Sequence, residues 1–140
     1  MWAMAMAERI PILVIDDDAE LRELLEYNLK LAGFEVYLAG DGPGGVEAAQ
    51  ELSPSVILLD VTMEGMDGLE VLSELRHDRR TEEIPVFMLT GKSSIGDIER
   101  AFEIGADDYI TKPVEMMKLG RIIKEKMAKC VAKKKSEKGK

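Results

Sequence analysis

Residues 12–18 read Ile-Leu-Val-Ile-Asp-Asp-Asp, four branched apolar side chains running directly into three carboxylates. A run so short and so uniformly apolar, closed by turn-forming acids, predicts a strand buried on both faces. The pattern recurs at Phe34–Leu38, Val56–Leu59, Val86–Leu89 and Tyr109–Ile110, each bounded by Asp, Gly, Pro or Thr. Between these runs the apolar period changes. Leu21, Leu24, Leu25 and Leu29 repeat at three and four, Leu69, Leu72 and Leu75 at three, and Ile95, Ile98 and Phe102 similarly, which predicts helices. Helices of that length between strands serve as crossovers that lay the next strand parallel. The expected fold is therefore α/β: a doubly wound five-stranded parallel sheet covered by helices on both faces. Asp18 stands where an N-cap belongs and Gly33 where the first helix must stop. The last helix is predicted from Pro113 or Val114, with an apolar stripe of Val114, Met117, Ile122, Met127, Cys130 and Val131 weakened by Gly120.

Composition narrows the setting. At 140 residues, with 46% hydrophobic and 33% charged, the chain suits one compact domain. The single cysteine, Cys130, excludes an internal disulfide framework and a multi-cysteine zinc site. No run approaches the ~20 apolar residues of a membrane helix, and Met1–Ala7 lacks the basic end and apolar centre of a signal peptide. A soluble chain in a reducing cytoplasm is expected, with residues 1–8 an N-terminal extension of no assigned function. The net charge of −8 is unevenly spread: Lys124–Lys140 carries eight lysines and two glutamates, a net +6, against −14 for the rest. The acidic body disfavours nucleic acid and anionic membranes as direct partners, and the lysine-rich end reads as a frayed, solvated helix terminus.

In an open α/β sheet, ligands bind beyond the carboxyl ends of the strands, where strand order reverses. Those ends carry Asp16-Asp17-Asp18, Asp60, Thr90 and Lys112-Pro113. Should strands one and three be neighbours, Asp16, Asp17 and Asp60 share one crevice. Carboxylates so grouped either hold protons or are neutralised by a hard divalent cation, and a small all-oxygen set suits Mg²⁺. Singly, each residue has a simpler role: Asp18 and Thr90 as caps, Asp60 as a turn residue, Lys112 as a surface lysine, Pro113 in a helical first turn. Their shared placement at consecutive strand ends favours a site.

The ordered set Ile12-Leu-Val-Ile-Asp-Asp-Asp, Val56-Ile-Leu-Leu-Asp60-Val-Thr-Met, Met66-Asp-Gly, Val86-Phe-Met-Leu-Thr90 and Gly105-Ala-Asp-Asp-Tyr-Ile-Thr-Lys112-Pro113 resembles the receiver domain of two-component response regulators. The likeness covers residues 9–124 and leaves 125–140 as the end of the last helix and a basic tail. It implies a flavodoxin-like strand order 2-1-3-4-5. It also implies that Asp60 is the phosphoacceptor, Asp17 a direct Mg²⁺ ligand, Asp16 a ligand through water, and the Thr62 backbone carbonyl a further ligand. By the same resemblance Lys112 pairs with Asp60 or the incoming phosphoryl oxygens, while Thr90 bonds a phosphoryl oxygen after transfer and draws its loop inward, with Tyr109 moving into the vacated space. The implied partners are a histidine kinase or histidine phosphotransfer protein upstream and a protein target on the face of the fourth helix, fifth strand and fifth helix, with homodimerisation on phosphorylation a further expectation. Such a protein is a signalling phosphoacceptor that assists its own phosphorylation and dephosphorylation. With no output domain read after the last helix, a stand-alone regulator is expected.

Some residues depart from the family pattern. Glu64 replaces the frequent proline after the acceptor, which predicts a looser loop, and Gly91 replaces the usual alanine after Thr90. Thr62 and Lys92 lie at variable positions that tune phosphoryl lifetime. Gly40-Asp-Gly-Pro-Gly-Gly45 fits a dinucleotide-binding spacing but places Asp41 against a pyrophosphate, so a turn is the better reading. A haloacid-dehalogenase-like phosphatase would use Asp16 as nucleophile with Asp18, Thr90, Lys112 and the Asp107-Asp108 pair, although there the lysine precedes the final acids. A pseudo-receiver that never accepts phosphate is the remaining alternative. His77 reads as a solvated surface group, and Met63, Met66, Met116 and Met117 as gap-fillers or surface contacts.

Overall fold

A computed structural model describes residues 8–91 and 95–138. The readings of Met1–Ala7 and Lys92 lie outside the described residues. Five strands, β1 (Ile10–Ile15), β2 (Phe34–Ala39), β3 (Val56–Asp60), β4 (Val86–Thr90) and β5 (Asp108–Thr111), alternate with five helices. The helices are α1 (Ala19–Leu31), α2 (Gly42–Leu52), α3 (Gly68–Arg76), α4 (Ile95–Ile104) and α5 (Met116–Lys138). All pairings are parallel, in the order β2-β1-β3-β4-β5. The strands run one or two residues beyond their apolar runs, so Asp60 and Thr90 are the last residues of β3 and β4.

Alternation along the strands divides the core. Leu13, Ile15, Ile57, Leu59, Val86 and Met88 face one layer with Val46 of α2, Val71, Leu72 and Leu75 of α3 and Ala101 of α4. Ile12, Val14, Val56, Leu58, Phe87 and Leu89 face the other with Leu25 and Leu29 of α1 and Leu119 and Ile123 of α5. Because the central strands are covered on both sides, nearly every residue in them is apolar. Leu24 of the α1 repeat is exposed, as are Met117 (98%) and Val131 of the expected α5 stripe. Leu119 and Ile123 form the buried face, and Ile122, Met127 and Cys130 of the expected stripe are partly buried beside them.

Helix α5 starts at Met116 rather than at Pro113 or Val114, since Val114 reaches the core from the preceding loop and needs no helix to be buried. Gly120 is a packing residue there: a Cβ on it would lie 2.3 Å from the Ala32 Cβ, so its bare backbone lets α5 close on the end of α1. The lysine-rich end continues as helix to Lys138, and the Lys134 ammonium donates to the Glu83 carbonyl at 2.7 Å. The glycine-rich stretch is the first turn of α2 rather than a simple turn, capped by Asp41, whose carboxylate accepts from the Gly44 N–H. Asp18 caps α1 as expected, accepting from Glu20 and Leu21. Exposed His77 closes α3, its Nδ1 2.7 Å from the Ser73 carbonyl. Met63 is buried, while Met66 and Met116 are partly so. Among the described residues no helix is long and apolar enough to cross a membrane.

Candidate functional site

The strand order sets β1 against β3, so the acids after β1 and at the end of β3 meet at one edge. Asp16, Asp17 and Asp60 each offer one carboxylate oxygen, and these oxygens lie within 4.8 Å of one another. The loop after β1 turns sharply around Asp16. Its N–H donates to the Ala39 carbonyl at 3.1 Å, its Oδ1 accepts from the Asp18 N–H at 2.9 Å, and its carbonyl accepts from Arg22 Nη1 at 2.7 Å. Asp16 is fully buried, and its Oδ2 has no hydrogen-bond partner among the described residues. Asp60 is 5% exposed, with Oδ1 accepting from the Thr62 N–H at 3.1 Å. Asp17 is exposed.

Lys112, at the end of β5, provides the compensating charge. Its Nζ stands 3.5 Å from Asp16 Oδ2 and 3.5 Å from Asp60 Oδ2, and the Lys112–Pro113 bond is cis. Burial, followed by the neighbouring Asp16 charge, raises the Asp60 pKa from 3.8 to about 6, although the Thr62 N–H and Lys112 oppose the rise. One lysine thus only partly offsets the clustered acids. Thr90, beside this edge at the end of β4, is 1% exposed, and its Oγ1 lacks a partner among the described residues. Two buried polar atoms without partners are costly in a finished core and mark a place prepared for a further group. A hard cation fits that place: the donors are all oxygen, they carry more negative charge than Lys112 balances, and Asp16 Oδ2 is free to accept.

Tyr109 lies on β5 with its side chain outward, 39% exposed, packed edge-on against Phe102 of α4 at 6.1 Å between ring centres. Lys126 of α5 stands 6.0 Å from the same ring and pairs with Asp108 at 3.0 Å. Asp107 precedes β5 and Asp108 begins it, at the sheet edge opposite Lys112. Asp107 is held there by Arg76 at 2.9 Å and by the Val86 N–H. That placement removes it from the crevice and leaves the phosphatase arrangement without its second acidic pair.

Three positioning features enter with the tertiary structure, and the residue pattern signalled one of them. Arg22 reaches back to Asp16, and nothing in a mixed helical turn distinguishes it from a surface arginine. Gly68 is a second: its N–H donates to the Val61 carbonyl at 3.0 Å, and a Cβ there would lie 2.1 Å from the Asp60 carbonyl, so α3 begins directly on the end of β3. The Met66-Asp-Gly motif carried the signal for it. Third, Glu64 ties its loop rather than loosening it, because its N–H donates to Asp17 Oδ2 at 3.1 Å, a bond proline could not make.

The comparisons with known proteins agree with this arrangement. Residues 12–124 match the response regulator receiver domain family, and the chain belongs to it. The DNA-binding dual master transcriptional regulator RpaA of Synechocystis is 45% identical over 105 residues, which is 75% of this chain and 44% of that protein. The chain thus spans less than half the length of this curated relative. A crystal structure of a putative response regulator from Chloroflexus aurantiacus is similar at 32% identity and a TM-score of 0.80, covering 86% of this chain and 99% of that one. The chemotaxis protein CheY4 of Vibrio cholerae is similar at 28% identity and a TM-score of 0.78, covering 84% and 98%.

Proposed function

We propose that this receiver domain accepts a phosphoryl group on Asp60, taken from a histidine kinase or histidine phosphotransfer protein, and thereby switches a protein-binding face. The observation that carries the reading is the crevice itself: three convergent carboxylates, Lys112 3.5 Å from two of them, and buried oxygens on Asp16 and Thr90 without a partner among the described residues. Mg²⁺ would be held by Asp17, Asp16, Asp60 and the Thr62 carbonyl, with Asp16 acting largely through water. When bound, it supplies the positive charge that lets a carboxylate approach a polyanionic phosphoryl group.

The chain's own groups do the rest. An Asp60 carboxylate oxygen forms the bond to phosphorus as the bond to the donor breaks, the donor leaving with the electron pair. Lys112 offsets negative charge at the acceptor, and the Thr62 N–H holds Asp60 Oδ1. Thr90 Oγ1 donates to a phosphoryl oxygen, satisfying a hydroxyl that is otherwise buried without a partner among the described residues. Its loop moves inward, and Tyr109 leaves its place against Phe102, altering the surface formed by α4, β5 and α5. The receiver unit is residues 9–124, α5 carries on beyond it, and the protein is a phosphoacceptor that assists its own phosphorylation and dephosphorylation rather than an enzyme acting on other molecules.

Incubation with acetyl phosphate, with and without Mg²⁺, followed by intact mass, tests this. A Mg²⁺-dependent single phosphoryl adduct is expected on the native chain and on none of the Asp60→Asn protein. An adduct that persists in Asp60→Asn and disappears in Asp16→Asn would move the nucleophile. No adduct at early times, together with no binding of beryllofluoride, would leave a phosphate-independent binding module.

A further inference from the structure

The turn that carries Asp16 and Asp17 is closed into a ring by the first turn of α1. The Asp16 N–H donates to the Ala39 carbonyl, which extends the β1–β2 ladder one residue past Ile15. Asp16 Oδ1 accepts from the Asp18 N–H, and Asp18 in turn caps α1 through the Glu20 and Leu21 N–H groups. Arg22 completes the ring. Its backbone N–H donates to the Asp18 carbonyl at 3.0 Å, and its Nη1 reaches six residues back to the Asp16 carbonyl at 2.7 Å. Exposed Asp17 lies between the two tied residues, Asp16 and Asp18.

The carbonyl that Arg22 holds belongs to the peptide unit joining Asp16 to Asp17. Asp16 is 0% exposed, so this carbonyl cannot turn to bulk water, and among the described residues its hydrogen bond comes from Arg22. Holding it fixes the ψ torsion of Asp16, which decides where Asp17 stands relative to the buried acid. The guanidinium has a seat of its own. Gly40, directly after β2, leaves room for it: a Cβ there would lie 3.1 Å from Nη1, 3.3 Å from Cζ and 3.4 Å from Nη2.

We infer that Arg22 is a positioning residue for the divalent cation: by holding the Asp16 carbonyl it sets Asp16 and Asp17 in the relative geometry that binds Mg²⁺. The inference rests on the cation site proposed above. Mg²⁺ requires near-octahedral ligands at short distance, so a pair of acids whose spacing drifts binds it less well. This role has the opposite sign to that of charge alone. A guanidinium near a cation site repels the cation, so on electrostatics its removal tightens Mg²⁺ binding. On positioning, its removal loosens binding. Groups that orient a metal ligand commonly change affinity by about 10- to 100-fold when lost, and a hold exerted through the backbone belongs at the lower end.

The test is calorimetric titration of the full chain with Mg²⁺ at pH 7.5, beside urea unfolding in EDTA. Arg22→Met keeps an unbranched helical side chain but removes the donor and the charge, and Mg²⁺ affinity should fall about tenfold. Arg22→Lys keeps a charged donor and should recover most of the loss, to within about threefold of the native affinity. Should Arg22→Met lose its native circular dichroism, Gly40→Ala keeps the guanidinium but presses a methyl group against it, and a fall of about threefold is expected. Mg²⁺ affinity in the folded Arg22→Met protein that is raised, or unchanged within about twofold, would overturn the positioning role while leaving the cation site standing, whatever the stability in EDTA. Absence of saturable Mg²⁺ binding by the native chain would instead overturn the site itself, and this inference with it.

Discussion

Asp60 carries a cost that can be measured without any phosphodonor. Its pKa stands at about 6 in the fold against 3.8 for an ordinary aspartate, because burial and the Asp16 carboxylate disfavour its charged form. Below pH ~4 the group is protonated in both folded and unfolded chains and contributes nothing. Between about pH 4 and 6 the unfolded chain releases the proton while the folded one keeps it, so stability declines as pH rises. Above about pH 6 both are ionised and the full penalty stands. A rise of about two pKa units corresponds to about 3 kcal/mol. Asp60→Asn removes the charge while its side-chain oxygen still accepts from the Thr62 N–H; Lys112, left facing an amide, takes back part of the gain. A net stabilisation of about 2 kcal/mol is expected at pH 7.5, and almost none at pH 4. Urea unfolding of both proteins in EDTA across that range measures the difference directly. A gap between the two that does not change with pH, or a native chain more stable than Asp60→Asn at pH 7.5, would refute the placement of an only partly compensated carboxylate in the crevice.

Added Mg²⁺ should stabilise the native chain against urea at pH 7.5, by about 2.7 kcal/mol at a hundred times its dissociation constant, and Asp16→Asn should abolish most of that gain. Lys112→Met should slow acetyl phosphate labelling of Asp60 by about 100-fold, read by intact mass, because the compensating charge beside the acceptor is lost. Gly68→Ala should destabilise the fold by about 1–3 kcal/mol in urea, since its methyl group meets the Asp60 carbonyl and must displace the end of β3. Arg76→Met should cost about 3 kcal/mol: the guanidinium joins Asp107 to the Gly105, Glu82 and Ile84 carbonyls, and its removal leaves a half-buried carboxylate with the Val86 N–H as its one partner among the described residues.

Much of this molecule is written in local pattern. A strand covered on both faces must be apolar throughout, so Ile12–Ile15, Val56–Leu59 and Val86–Leu89 declare both their conformation and their place at the centre of the sheet. The acids, threonine and lysine at their carboxyl ends fall on one edge because parallel strands all point the same way, and Asp18 announces the first helix because an N-cap is a local hydrogen bond. Helix faces were less legible. Leu24, Met117 and Val131 fit an apolar period yet lie exposed, since which side of a helix meets the sheet depends on neighbours distant in sequence. What only the tertiary structure decided were contacts between segments far apart in the chain: Asp107 paired with Arg76, Gly120 set against Ala32, and Glu64 closing on Asp17 across 47 residues. A residue's type shows the chemistry it can perform, but its partner is fixed by packing, and periodicity along one segment contains no record of what another segment brings alongside it.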